Sequence, residues 1–185
     1  IIALVLLMTK AIEKGNIWMM ISFPIFGISL ILLYLASTLY HSAKDPSKRF
    51  KLKIFDHAAI YVLIAGSYTP FTLVSLNGET GWFIFSIVWI LAFTGIILKL
   101  FFTGRFKVLS TAMYVLMGWL IIFYFKELTA NLHSDGVFYL ILGGVFYTIG
   151  AVLYSIKKIK FNHAIFHVFV LGGSFCHFLS VYLYI

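Results

Sequence analysis

Five side chains in this sequence could carry out metal chemistry together: Ser37, His41, Asp56, His163 and His167. The run His163-Ala-Ile-Phe-His167 is an i, i+4 pair. On a helix both imidazoles share one face, with Cβ atoms ~5–6 Å apart. His41 and Asp56 can approach such a pair from neighbouring helices. Three neutral imidazoles with an oxygen donor or water form a zinc-like set. Three protein ligands plus a water is the catalytic rather than the structural pattern. Ser37 lies one helical turn before His41 and faces the same way.

Each of these residues has a plainer reading in isolation. A histidine at a helix end commonly sits at an interface or makes a hydrogen bond. An aspartate in a first turn is stabilised by the helix dipole, and a mid-helix serine usually bonds the carbonyl one turn back. The remaining histidines take the plain reading. His133 is expected in a solvated outer loop. His177 lies ten residues beyond His167, ~15 Å further along a helix, too far for the same ion, and is expected to hydrogen-bond within the bundle. His57 points ~100° away from Asp56. What favours a shared site is depth, and depth depends on the elements that carry these residues.

Those elements are membrane spans. Of 185 residues 62% are hydrophobic and 11% are charged, with mean hydropathy at +1.03. A soluble domain carries ~25% charged residues, so this chain could not cover a water-soluble surface. Predominantly apolar runs of ~20 residues, enough for ~30 Å of hydrocarbon, occur at 17–40, 54–76, 81–101, 107–125, 136–156 and 162–185. The opening 1–9 is too short to span and lacks the charged start and cleavage site of a signal peptide. It is expected to be the tail of a first helix. The fold class is therefore all-α, a single polytopic membrane domain of seven transmembrane helices.

Basic residues set the orientation. Lys44, Lys48, Arg49, Lys51 and Lys53 follow the second helix, Lys99, Arg105 and Lys107 surround the next alternate loop, and Lys157, Lys158 and Lys160 the third. These are eleven of the 14 Lys and Arg residues. By the positive-inside rule these loops are cytoplasmic, with the N-terminus in and the C-terminus out. The net charge of +8 thus reports topology rather than nucleic-acid binding. It also puts His41 at the cytoplasmic end of the second helix, Asp56 in the first turn of the third, and His163 and His167 in the first turns of the seventh. All four share one depth.

Other signals are structural. Pro70 cannot donate to the carbonyl of Gly66, so a kink is expected, with Ser67 or Thr69 able to satisfy freed backbone groups. Gly143, Gly144, Gly172 and Gly173 read as close helix contacts. No strand precedes them, which leaves a nucleotide site unsupported. The single cysteine, Cys176, excludes an internal disulfide and any multi-cysteine metal site.

The segments Ser37-Thr-Leu-Tyr-His41, Phe55-Asp56-His57 through Thr69-Pro70, and Asn162-His163-Ala-Ile-Phe-His167 through His177 resemble the bacterial hemolysin III family. That family belongs with the progestin and adipoQ receptors, which include the adiponectin receptors, and is related to the alkaline ceramidases. The resemblance covers essentially the whole chain. Its specific mark is the order S-x3-H, then D, then H-x3-H. It implies a zinc ion held by His41, His163 and His167, with Asp56 and Ser37 beside it, in a protein of the bacterial plasma membrane.

Three function classes follow. The first is a zinc-dependent hydrolase of a lipid amide or ester, ceramide-like, drawn from the surrounding membrane lipids. Soluble zincins place their base beside the first histidine. Here that position is Ala164, so Asp56 would be the base and Ser37 would hold the water or the oxyanion. The second class is a receptor or sensor with structural zinc. The third is a pore, which calls for a polar stripe along several helices. None is visible, since the polar residues cluster at one end.

Overall fold

The computed structural model describes residues 1–103, 107–156 and 158–185, and the side chains of Lys107, Val108 and His163 lie outside that description. Among the described residues every regular element is helical: α1 (Ile2–Lys14), α2 (Ile17–Ser42), α3 (Pro46–Pro70), α4 (Glu79–Phe102), α5 (Lys107–Gly118), α6 (Phe125–Asn131), α7 (Ser134–Ser155) and α8 (Asn162–Tyr184). A π-helical turn over Phe71–Ser75 extends α3, and a 3-10 turn over Leu120–Tyr124 joins α5 to α6. Six stretches are long and apolar enough to cross a membrane: Ile17–Ser42, Pro46–Ser75, Glu79–Phe102, Leu109–Asn131, Ser134–Ser155 and Ala164–Tyr184. The all-α expectation holds at that level.

Helix ends depart from the apolar runs wherever capping outweighs hydropathy. α1 continues past residue 9 to Lys14 and stops at Gly15, whose φ of 61° closes the helix with bonds to Ala11 and Ile12. At 13 residues it is ~20 Å long, short of the ~30 Å core. α3 begins at Pro46 rather than at 54, because Asp45 accepts a hydrogen bond from Lys48 N (2.8 Å) and Pro46 occupies the first turn. Both features favour a helix start. Lys48, Arg49, Lys51 and Lys53 are therefore helical residues, not a loop. The run expected at 107–125 is broken after Gly118 and resumes to Asn131. Arg105 and Lys157, two of the basic residues used for orientation, fall outside the described residues.

The chain divides into two compact units, Ile1–Ser110 and Thr111–Ile185. In the first, α1 packs on α2, α2 on α3, and α3 on α4. Its core joins Leu7 of α1, Phe23 and Phe26 of α2, Tyr61 of α3, and Ile84 and Val88 of α4, each 0–1% exposed. A Cβ on Gly27 would lie 2.7 Å from Leu4 Cδ1, and one on Gly95 would enter the Tyr61 ring. These two glycines permit the close α1–α2 and α3–α4 approaches. At the other side of the membrane-spanning length, Trp18 at the start of α2 meets Trp82 at the start of α4 edge to face, 5.6 Å between centroids.

Around Pro70 the polar side chains bond locally, though not where expected. Ser67 donates to Ile64 O (2.8 Å) and Thr69 to Ala65 O (2.8 Å), not to Gly66. Thr69 Oγ1 also accepts from Trp89 Nε1 (3.2 Å), tying α3 to α4. Immediately past Pro70 the backbone takes π-helical turns, a common response to a disturbed helical ladder.

In the second unit α7 and α8 form an antiparallel pair in one continuous register. His133 stacks on Tyr184 (5.5 Å, 12°). Ser180 Oγ donates to Gly136 O (2.7 Å), and Tyr147 OH meets Ser174 Oγ (2.9 Å). Tyr154 then meets Phe166 at 5.1 Å. Three of the four glycines singled out above, Gly143, Gly172 and Gly173, serve close approach, while Gly144 has only ordinary contact distances. Cβ atoms at Gly143, Gly172 and Gly173 would press on His177, Phe146 and Tyr147 across the pair, and one at Gly144 would touch Trp119. Overpacking of this kind costs ~1–3 kcal/mol per site.

Candidate functional site

The first unit carries Ser37, His41 and Asp56. Ser37 and His41 sit one turn apart in the last two turns of α2, which ends at Ser42. Ser37 is half-buried and His41 exposed. The His41 ring lies against Tyr40 (4.8 Å), and the Arg49 guanidinium covers the Tyr40 ring at 5.4 Å. That stack links the end of α2 to the start of α3. Pattern reading passed over it, because a cation–π pair across a helix junction leaves no periodic trace.

Asp56 is the eleventh residue of α3, ~15 Å from the helix start. The macrodipole acts within the first turn, so it gives no account of a carboxylate at this depth. Asp56 is 7% exposed and makes no hydrogen bond or ion pair with the described residues. A carboxylate so placed calls for a cation, a donor or a proton. His57, next in sequence, is half-buried.

His163 and His167 belong to the second unit, in the first two turns of α8. The i, i+4 spacing in the sequence thus falls within one helix, as expected. His167 is half-buried with its ring 5.5 Å from Phe166. The start of α8 is held by Asn162, whose side chain donates to Tyr154 O (3.1 Å) and Ile156 O (3.4 Å). No capping signal announces that role, since the amide donates to carbonyls at the end of α7 rather than accepting from the first turn of α8.

The other histidines have structural partners. His177 is buried, its Nε2 lies 3.2 Å from Leu140 O, and its ring meets Tyr147 edge to face. It is the hydrogen-bonded helix residue expected. His133 is exposed and caps α7, accepting from Asp135 N (3.3 Å) and lying 3.7 Å from its carboxylate. Among the described residues no group of three or more His, Cys, Asp or Glu could hold a metal ion. The His163 side chain lies outside that set. The donor types themselves, imidazoles with one carboxylate, suit zinc, and the unpartnered Asp56 carboxylate suits a nearby cation.

Residues 1–178 match the family model described as Haemolysin-III related. The chain is 50% identical over 182 residues to the Hemolysin-3 homolog of Bacillus subtilis (strain 168), covering 98% of this chain and 85% of that protein. It is 46% identical over 183 residues to Hemolysin-3 of Bacillus cereus, covering 99% and 84%. Similarity extends to the human Monocyte to macrophage differentiation factor, at 29% over 185 residues, covering 93% and 74%. With six stretches among the described residues long and apolar enough to cross a membrane, and a family match over nearly its full length, the chain is an integral membrane protein that belongs to the haemolysin III family.

Proposed function

We propose that this protein is a zinc-dependent hydrolase of a membrane-lipid amide or ester, ceramide-like, with His41, His163 and His167 as metal ligands. The observation that carries the reading is Asp56, a carboxylate buried at 7% exposure with no partner among the described residues. It sits one turn beyond Lys53, the last of the basic residues that open α3. An ion at such a site supplies Lewis-acid polarisation of a carbonyl and a bound water whose pKa falls toward ~7. Asp56 takes the proton of the attacking water at a carboxylate oxygen and returns it to the leaving group. Ser37, one turn before His41, donates its hydroxyl to the oxygen on which charge develops. The lipid substrate enters sideways from the bilayer.

The experiment is direct. Purified protein in detergent, given a panel of ceramides and other lipid amides and esters, should release fatty acid. A chelator should suppress release and added zinc restore it. No release across the panel, or release that the chelator leaves untouched, would overturn the assignment.

The charge pattern supports a site near the cytoplasmic face, and the similarity to bacterial proteins supports the plasma membrane. With the basic segment before α8 on the cytoplasmic side, α8 crosses outward and the C-terminus lies outside. Alkaline phosphatase fused after Ile185 should therefore be active, and a green fluorescent protein at the same place dark. The opposite pair of results would reverse the orientation.

A further inference from the structure

The first unit contains a groove that the hydrolase reading does not use. It is a 440 Å³ depression between α2, α3 and α4, within the roughly 300–1,000 Å³ of small-ligand sites. Ala58 and Ala59 form its floor, Leu32 and Ile96 its walls, and Phe55 and Leu100 its rim. The rim residues are 41% and 56% exposed, so the groove is open along one side. One end is marked by Lys51, and the α3 lining continues as far as Val62. The eleven helical steps from Lys51 to Val62 span ~16 Å, the depth of one leaflet of a ~30 Å hydrocarbon core.

Charge is confined to the Lys51 end. Residues 44–53 hold five basic residues and one acid, Asp45. The Asp45 carboxylate is engaged in capping α3. Lys44, Lys48, Lys51 and Lys53 make no ion pair with a described acidic residue. Lys48 lies one turn before Lys51, on the same side of α3. An apolar channel one leaflet deep, ending at cations that lack a protein counter-charge, is complementary to an acyl chain that ends in a phosphate. We propose that this groove is a binding site for an anionic phospholipid, with one acyl chain along Ala58 and Ala59 and the phosphate at Lys51 and Lys48. Basic sites between transmembrane helices at a membrane face recognise anionic headgroups by the same chemistry.

The test is native mass spectrometry of the intact protein in dodecyl maltoside, titrated with phosphatidylglycerol or phosphatidylcholine of identical acyl chains. Wild type should retain phosphatidylglycerol more tightly. Lys51→Ala should lower that preference about fivefold, the ~1 kcal/mol that one basic side chain adds at an anionic surface. It should leave phosphatidylcholine binding unchanged. Ala58→Phe, which fills the floor, should weaken both lipids, and Lys126→Ala, a basic residue of the second unit that does not line the groove, neither. Equal retention of the two lipids by wild type would overturn the site. So would a preference that survives Lys51→Ala or falls as far in Lys126→Ala. If Ala58→Phe does not fold, the lysine variants decide alone.

Discussion

Replacing Asp56 with Asn is expected to cut lipid hydrolysis by ~10²–10⁴-fold, the range for loss of a general base, while most of the zinc stays bound. Asparagine keeps the shape of the side chain and removes both its charge and its ability to take a proton. If three imidazoles supply the metal bonds, as proposed, the carboxylate would reach the ion only through water, and the ion would remain. Metal content and turnover thus separate. A structural site would behave in the opposite way, since Asp56 would then be the fourth direct ligand of a closed tetrahedron. Asp56→Asn would lose metal and thermal stability together, with no turnover to lose. Zinc per protein by elemental analysis, measured beside fatty-acid release, distinguishes the two outcomes. Zinc loss without any prior activity would sink the catalytic assignment and favour a sensor with structural metal.

The burial of Asp56 was only partly readable from the chain. Hydropathy began the third helix at 54 and made Asp56 a first-turn residue, because four basic residues within 48–53 lower the local average. The structure starts α3 at Pro46. The signal for that start was present as Asp45-Pro46, an N-cap followed by proline at the first helical position. Reading it would have removed the helix dipole as an account of Asp56. The α7–α8 register was more legible. Glycines at 143, 172 and 173 marked close approach, as Gly144 did not, and His177 was assigned to a hydrogen bond that the structure places at Leu140 O. Aromatic neighbours such as Tyr40 over Arg49 were not legible, since they depend on how a helix junction turns. The proposed ligands come from both units of the chain. Local periodicity carries no information on pairing between residues over 100 apart, and loop charge bears on depth alone.

The second large effect concerns the histidine pair. Replacing His163 and His167 together with Ala should abolish stoichiometric zinc, leaving His41 as the sole imidazole of the proposed set. Zinc sites in proteins are built from three or four protein ligands, and a single imidazole with a carboxylate is too few to retain the ion against detergent and buffer. The i, i+4 spacing makes each single variant informative as well. Either histidine alone keeps two imidazoles in play, so single variants should show weakened binding rather than none. Full metal retention in the double variant would exclude this pair as ligands. A loss of metal must also be separated from a loss of fold. His177→Ala serves as the comparison, because it removes a buried imidazole that presses on Gly143 and approaches the Leu140 carbonyl. That variant should lower the melting temperature of the apo protein while leaving the zinc content at one per chain. The double variant should instead melt close to where the wild type melts after chelation, since the contacts of Asn162 and Ser174 with α7 stay in place and the packing lost is that of the His167 ring beside Phe166. If both variants lose zinc and stability in equal measure, the metal is reporting helix packing and the His163–His167 assignment fails.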